Sequence, residues 1–478
     1  MLRQCIEVVR LRRGGGSLNP QFEWYREYSE SIPVSKLIRA LRRFLFCLLR
    51  ASAKKCSLLF LCTDMRKTSR CGTSEEMKGG IIMLTLDKVF DAQTVLKNII
   101  RETNLVRAHG IAPKCELYLK PENLQFTGSF KIRGAAYKIA MLSPEEKKNG
   151  VIACSAGNHA QGVALAATKN GIKSLICLPD TAPISKIEAT KGFGADVCLV
   201  EGCYDDAYRR ALELRDEKGY TFVHPFDDEN VIAGQGTIAL EILNDIDNID
   251  AIVVPVGGGG LISGIAYTVK QIRPSVKVYG VQVAGAPSMY NSVKNGQIEC
   301  LPSVSTIADG IAVKQPGENT YALVSEYVDE VVLVSDDEVA GAILALVEKQ
   351  KMVAEGAGAA AVAAVMSGKL DVAGKRVVAV VSGGNIDVTS LSRVIDRGLL
   401  NSGRSTSLLI ELIDKPGQLK EISRIIADCG GNVTGVHYEK GATESVNGCF
   451  LRINMETRDF DHVDLITRSL CEAGFKLV

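Results

Sequence analysis

The chain has 478 residues, of which 46% are hydrophobic and 23% are charged, so it can bury a sizeable core and form two or three soluble domains. The formal net charge of +1 is uneven, because residues 1–82 carry a net +9 and the remaining residues a net −8. The acidic main body argues against nucleic acid or an anionic membrane surface as a partner.

The first 82 residues do not read as part of a folded domain. Their apolar runs at 44–49 and 58–62 are far shorter than the roughly 18 residues that span a bilayer. The first run lies too deep for a signal peptide, and the acidic residues argue against a transit peptide. Residues 78–80 (KGG) are what a translated ribosome-binding site would give. We therefore expect Met83 to be the natural start of a cytoplasmic protein, and 1–82 to be a non-native or disordered extension.

From Met83 onward, short β-branched runs alternate with helical patterns. Capping boxes at Ser143 and Ser335 mark the starts of two helices. Alternating strands and helices predict an α/β fold with mainly parallel sheets. The predicted strands are 151–154, 174–178, 196–200, 251–256, 276–283, 331–334 and 377–382.

A single lysine flanked by small and apolar residues stands in residues 127–135 (TGSFKIRGA). An apolar pocket lowers the pKa of a lysine, because desolvation disfavours the charged form. The neutral amine is the form that makes a Schiff base with an aldehyde. Taken alone, this motif fits an ordinary lysine at a helix end better than a catalytic one.

Residues 155–162 (SAGNHAQG) follow a predicted strand and begin a helix. The free N–H groups and the positive end of the helix dipole suit a carboxylate ligand. Ser155 and Asn158 could add side-chain hydrogen bonds. A plain helix cap explains the motif equally well.

Two glycine motifs also follow predicted strands. In residues 256–264 (VGGGGLISG) four consecutive glycines allow the backbone to wrap an anion such as phosphate. The motif is neither a P-loop nor a dinucleotide fingerprint in its usual setting, and a flexible turn is the alternative. Residues 382–385 (SGGN) place a serine hydroxyl at a strand end, where it could hydrogen-bond a pyridine nitrogen. Together the four motifs match pyridoxal 5′-phosphate (PLP) bound to an amino acid.

After a polar linker at 401–406, the pattern becomes β-α-β-β-α-β. This order is that of the ferredoxin-like fold. The predicted elements are 408–413, 417–429, 432–439, 449–455, 460–473 and 475–478.

With these motifs, residues 84–400 resemble the threonine/serine dehydratase family of fold-type II PLP enzymes. Residues 407–478 resemble an ACT regulatory domain, most visibly at 412–417 (LIDKPG). The resemblance implies a two-lobed, tryptophan synthase β-like catalytic domain at 83–400, with a small lobe at about 153–230. It implies a C-terminal ferredoxin-like ACT domain after the linker.

The resemblance also implies roles for individual residues. Lys131 would hold the cofactor as a Schiff base and remove the Cα proton of the substrate. Phe130 would pack beside the cofactor ring, Asn158 would contact its 3′ oxygen and Ser382 its nitrogen. The phosphate would be held by Gly257, Gly258, Gly259, Gly260 and Leu261. The substrate carboxylate would be fixed by Ser155, Gly157 and His159. No metal ligand is expected, since no set of side chains has ligand spacing.

The reaction that the resemblance implies converts L-threonine to 2-oxobutanoate and ammonia, with L-serine as a further substrate. Serine racemases of the family carry a serine base where this chain has Ala156, so we expect weak racemisation. A serine-preferring dehydratase, a β-replacement enzyme and a PLP-holding sensor without turnover are the alternatives. The ACT resemblance implies a homo-oligomer, a dimer or tetramer, with a small effector. The sequence does not distinguish a branched-chain amino acid from a nucleotide, or isoleucine biosynthesis from threonine catabolism.

Overall fold

A computed structural model gives the fold of residues 84–440 and 448–478. The expectations for residues 1–82 and for a start at Met83 lie outside the described residues. The description below concerns the unit Gly79–Val478. No helix in its described part is long and apolar enough to cross a membrane.

The strands, numbered in chain order, are β1 (Val106–Arg107), β2 (Glu116–Pro121), β3 (Val151–Cys154), β4 (Ser174–Pro179), β5 (Asp196–Val200), β6 (Thr221–Phe222), β7 (Ala251–Pro255), β8 (Lys277–Val283), β9 (Glu330–Val334), β10 (Arg376–Val381), β11 (Ser405–Ile413), β12 (Asn432–Lys440), β13 (Gly448–Glu456) and β14 (Lys476–Leu477).

The α-helices are α1 (Leu86–Leu96), α2 (Lys131–Ala140), α3 (Pro144–Asn149), α4 (Asn158–Lys169), α5 (Ile184–Gly192), α6 (Tyr204–Lys218), α7 (Glu229–Asp245), α8 (Gly260–Ile272), α9 (Ser288–Asn295), α10 (Glu318–Tyr327), α11 (Asp336–Ala345), α12 (Gly356–Met366), α13 (Val388–Asn401), α14 (Gln418–Asp428) and α15 (Phe460–Glu472). A π-helical turn (Leu346–Gln350) extends α11, and short 3₁₀ turns lie at Glu122–Leu124 and Asp309–Ile311.

Two sheets form the α/β part of the molecule. The larger sheet has the order β1-β2-β10-β7-β8-β9 and is parallel except at β1, and the smaller has the parallel order β5-β4-β3-β6. Strands such as β7 and β10 are buried on both faces, which explains their continuous apolar sequences. The fold is therefore the predicted two-lobed α/β architecture.

Glycines allow the helices that carry the motifs to cross closely. A Cβ atom at Gly162 of α4 would lie 3.1 Å from the backbone of Lys131, the first residue of α2. A Cβ at Gly234 of α7 would lie 2.7 Å from the backbone of Arg133 and Gly134. Any side chain at these positions would force the helices apart. The two glycines therefore allow α4 and α7 to pack closely against α2.

The C-terminal residues form an antiparallel sheet of order β12-β13-β11-β14. Apolar side chains of α14 and α15, such as Ile426 and Ile466, pack on it with Ile410 and Leu451. The predicted β-α-β-β-α-β order, and with it the ferredoxin-like fold, is confirmed. Helix α13 leads into this domain, and Arg404 pairs with Glu348 of the α/β part at 2.6 Å.

The structure adds elements that the sequence patterns did not predict. Strand β2 contains Lys120 and ends at Pro121, so it lacks the apolar pattern of its neighbours, yet it lies inside the large sheet. Helix α13 occupies 388–401, so only residues 402–404 separate it from β11. The predicted strands agree with observed ones to within a residue or two at each end, except that β11 begins at Ser405, three residues before the predicted start at 408.

Candidate active site

The four motifs converge where strands of both sheets end. Phe130 N–H, just before α2, donates to Ser382 O at the end of β10, at 3.1 Å. Ser129 and Gly383 form an isolated antiparallel bridge. The Asn385 side chain reaches Asn158 at the start of α4, at 2.8 Å. Three of the four motifs are thus in direct contact.

The segment 225–226 connects the fourth motif to the lysine. Lys131 Nζ donates to Pro225 O at 2.7 Å. A Cβ at Gly258 would lie only 2.4 Å from the Phe226 ring, so that ring rests against the glycine backbone. The lysine amine and the glycine loop therefore share one wall of the site.

Lys131 has the chemistry of a nucleophilic amine. The residue is half-buried, and desolvation lowers its pKa to about 8, opposed by the charge of Glu355. Its amine donates a hydrogen bond to a backbone carbonyl and not to a carboxylate. A substantial fraction of the amine is therefore neutral near physiological pH, as Schiff-base formation requires.

The glycine loop leaves no room for side chains. Gly259 has φ of +100°, and a Cβ there would lie 2.7 Å from Met289 and Thr320. Thr320 Oγ1 donates to Gly258 O at 2.6 Å, which fixes the loop from behind. Helix α8 begins at Gly260, and the N–H groups of its first turn have no intrahelical acceptors. This backbone is suited to an anion such as phosphate.

Asn158 lies between two side chains of the large lobe. Its Nδ2 donates to Glu355 Oε1 at 2.6 Å, and its Oδ1 accepts from Asn385 Nδ2 at 2.8 Å. Burial and the nearby Asp309 raise the pKa of Glu355 to about 7. Neither Glu355 nor Asn385 was assigned a role from the sequence.

The residues expected at the substrate carboxylate lie together in the turn before α4. Ser155 Oγ accepts from Gly157 N–H at 3.1 Å, and the space around Gly157 is open. His159, by contrast, is only 3% exposed and its Nε2 lies 2.8 Å from Val223 O. Burial and Lys131 lower the pKa of His159 to about 3. The neutral ring points into the core, so His159 can offer a carboxylate only its backbone N–H.

Two serines place polar atoms inside the site. Ser382 is buried, and its hydroxyl donates to Ala357 O at 3.3 Å, a long bond that leaves it able to turn toward a ligand. Ser129 Oγ is buried and has no hydrogen-bond partner within the described part of the chain. A buried hydroxyl without a partner two residues before Lys131 is consistent with a polar ligand at this site.

These observations fit the cofactor that the sequence predicts. The site offers a partly neutral amine and a glycine backbone that can bind an anion. Between them it offers serine hydroxyl groups that can hydrogen-bond a ligand. Phe130 lies beside the amine, with its ring centroid 5.3 Å from Lys131 Nζ. Within residues 84–440 and 448–478, no three His, Cys, Asp or Glu side chains are grouped as metal ligands.

A buried ionic network supports α2 from behind. Arg133 contacts Glu122 at 2.8 Å and Glu241 at 2.6 Å, and Lys120 also pairs with Glu241. All four side chains are almost completely buried, so each charge depends on its partners. No local pattern in the sequence indicates this network, since Lys120 and Glu241 are 121 residues apart in the chain.

Comparison with known proteins agrees with this geometry. The profile of the family described as pyridoxal-phosphate dependent enzyme matches residues 96–383. The L-threonine ammonia-lyase of Thermotoga maritima is 50% identical over 398 residues, which are 83% of this chain and 99% of that protein. The processed form of threonine deaminase isoform 2 from Solanum lycopersicum aligns with a TM-score of 0.62 and 37% identity, covering 68% of this chain and 98% of that one. Maize serine racemase aligns with a TM-score of 0.63 and 34% identity, covering 67% and 99%.

Proposed function

This chain belongs to the family of pyridoxal-phosphate dependent enzymes, and we propose that it is an L-threonine ammonia-lyase that forms 2-oxobutanoate and ammonia. The observation that carries the proposal is the position of Lys131. Its amine has a lowered pKa and is held by a backbone carbonyl between the glycine loop and the start of α4.

Pyridoxal phosphate, when bound, supplies an aldehyde for an amine and a ring that withdraws electrons from the substrate Cα. Lys131 would hold it and, once released by the substrate amine, would take the Cα proton. The backbone of residues 257–261 would hold the phosphate, Asn158 would donate to the 3′ oxygen, and Ser382 would face the ring nitrogen. Phe130 would pack beside the ring.

The substrate carboxylate is proposed to bind at the start of α4. Ser155, Gly157 and His159 belong to this turn, and the open space at Gly157 allows a ligand to approach the backbone. His159 would contribute its N–H and not its ring, which is held by Val223 O. The positive end of the helix dipole would stabilise the negative charge there.

A chromogenic assay for 2-oxo acids from L-threonine and L-serine tests the proposal. We expect 2-oxobutanoate from L-threonine, and a smaller yield of pyruvate from L-serine. A higher specificity constant for L-serine would favour the serine dehydratase alternative. Cofactor absorbance without any oxo acid would favour the sensor and reject the lyase.

For the C-terminal residues we propose an ACT domain after a catalytic domain at 83–400. Its limits are predicted at 407–478, but its first strand begins at Ser405, so the linker predicted at 401–406 is shortened to residues 402–404. The support is its β-α-β-β-α-β order and its compact apolar core. We propose that it pairs with a second copy of the chain and binds a small effector, in a cytoplasmic homo-oligomer. A thermal-shift screen with isoleucine, valine, AMP and ADP tests this, and no shift with any of them would count against the effector.

A further inference from the structure

The side-chain amide of Asn158 is held at both ends by the other lobe. Its Oδ1 accepts from Asn385 Nδ2 at 2.8 Å, and its Nδ2 donates to Glu355 Oε1 at 2.6 Å. Asn385 Nδ2 also donates to Thr127 O at 2.7 Å. Asn158 begins α4 beside the small sheet, whereas the other three residues belong to the large lobe. This chain of hydrogen bonds therefore connects the small lobe to the large lobe.

Each end of this chain is a group that can only accept. A backbone carbonyl such as Thr127 O has no hydrogen to donate, and neither has the ionised carboxylate of Glu355. If the Asn158 amide were reversed, its oxygen would face Glu355 and its nitrogen would face the Asn385 nitrogen. Both contacts would be repulsive, so only one orientation satisfies the chain. In that orientation one N–H of Asn158 remains free.

We propose that Glu355 and Asn385 are positioning residues that hold Asn158 as a hydrogen-bond donor toward the ring oxygen of the cofactor. The inference rests on the proposed function, because it takes the contact between Asn158 and that oxygen from it. It adds two residues that neither the motifs nor the comparisons assign.

The packing around Glu355 leaves its carboxylate little freedom. The residue is 5% exposed, and a Cβ at Gly383 would lie 2.2 Å from Oε1. A Cβ at Gly310 would lie 3.4 Å from the same atom. The backbone N–H of Asn385 is a further hydrogen-bond donor to this carboxylate. The carboxylate thus fills a notch between two glycine-containing turns, and its direction toward Asn158 is fixed.

The charge on Glu355 decides whether the orientation holds. Burial raises its pKa to about 7; Asp309 adds to this effect and Lys186 opposes it. Lys131 lies on the inner side, and a cavity of about 170 Å³ on the outer side is lined by Lys186, Asp309, Asp387 and Arg393. A protonated carboxyl could donate to Asn158 Oδ1 instead of accepting. Below about pH 7 only Asn385 still opposes the reversed orientation, so the amide is held less firmly there.

The experiment compares Glu355→Gln and Glu355→Leu with the unaltered holoenzyme, following the absorbance of bound cofactor from pH 6 to 9. The unaltered enzyme should show a spectral transition near neutral pH. Glutamine keeps an acceptor oxygen but cannot ionise. The Glu355→Gln variant should therefore have the same spectrum as the unaltered enzyme at pH 8, but it should lack the transition near neutral pH. Leu removes the acceptor, so the spectrum should change at every pH and kcat should fall about tenfold, with KM less affected.

Two charge variants in the same cavity provide controls. Asp309→Asn removes a negative charge and should lower the midpoint of the transition, whereas Lys186→Gln should raise it. A Leu variant with an unaltered spectrum, or midpoints that do not move in opposite directions, would overturn the inference. An unaltered holoenzyme without any cofactor band would instead overturn the proposed function, and the inference with it.

Discussion

His159 lies in the turn that the sequence assigns to the substrate carboxylate, yet its ring faces away from that turn. Its pKa falls from the ordinary 6.5 to about 3, because the ring is buried and lies near the positive charge of Lys131. Between those pH values the unfolded chain binds a proton that the folded chain does not. Stability should therefore fall as the pH drops from 6.5 toward 3, by up to about 1.4 kcal/mol per pH unit from this residue.

The variant His159→Gln tests this assignment. A glutamine amide can still donate to the carbonyl but does not titrate, so the variant should lose less stability between pH 7 and pH 5. Urea unfolding at the two pH values measures the difference. His437→Gln, at an exposed position in β12, is the control and should keep the ordinary acid response. Identical acid sensitivity in all three proteins would contradict the account.

Ala156 gives a second prediction for a single side chain. It stands between Ser155 and Gly157 in the turn proposed to bind the substrate carboxylate, and a methyl group cannot exchange a proton. Ala156→Ser supplies a hydroxyl, so it should raise the conversion of L-serine to D-serine severalfold above the unaltered enzyme. Chiral chromatography of the reaction measures it. If D-serine forms equally fast in both proteins, another group acts as the second base.

The sequence could predict some of these residues and not others. Lys131 and the glycine loop are recognisable because their chemistry lies in contiguous residues. Glu355 and Asn385 are 197 and 227 residues from Asn158 in the chain, so no local sequence pattern predicts their contacts with it. The inward direction of His159 depends on Val223, 64 residues away.

Among the structural elements, the glycine loop depends most strictly on its backbone. Gly258→Ala would place a methyl group 2.4 Å from the Phe226 ring and should displace both the loop and the wall beside Lys131. We expect cofactor affinity to fall about five- to 150-fold, since overpacking of this kind costs about 1–3 kcal/mol. Titration of the apoprotein with PLP, followed by absorbance, measures the loss.

Gly341→Ala is the matched control for that substitution. Gly341 lies inside α11, and nothing stands within 4 Å of the Cβ that alanine would add. Alanine should therefore leave cofactor affinity unchanged and stabilise the helix by about 0.5–1 kcal/mol. Equal cofactor affinities in the two alanine variants would show that the close contact at Gly258 is unimportant.

The elements themselves were predictable to different degrees. Capping boxes at Ser143 and Ser335 begin helices where the sequence placed them, because the motif depends only on residues three apart. Strand β2 escaped prediction, since Lys120 is buried there through an ion pair with Glu241, 121 residues away. A charge that is neutralised by a distant partner cannot be distinguished from a solvated one in sequence.

At the scale of the described molecule, alternating strands and helices sufficed to predict an α/β fold with mainly parallel sheets, whereas the two lobes were implied by the family resemblance. The site follows from how the lobes meet. Asn158 begins α4, just after β3 of the small sheet, and Ser382 directly follows β10 of the large sheet. Helix α2 stands against both, because Gly162 and Gly234 let its neighbours approach. The pairing of these segments is a long-range property, which the resemblance supplied and local patterns could not.

The central claim is that Lys131 carries the cofactor, and borohydride reduction of the PLP-loaded protein followed by peptide mass mapping tests it most directly. We expect the absorbance at about 410 nm to disappear and the phosphopyridoxyl group to be found on Lys131. The Lys131→Ala variant should show neither the absorbance band nor the label. Label on a different lysine, or an unaltered protein without that band, would contradict it.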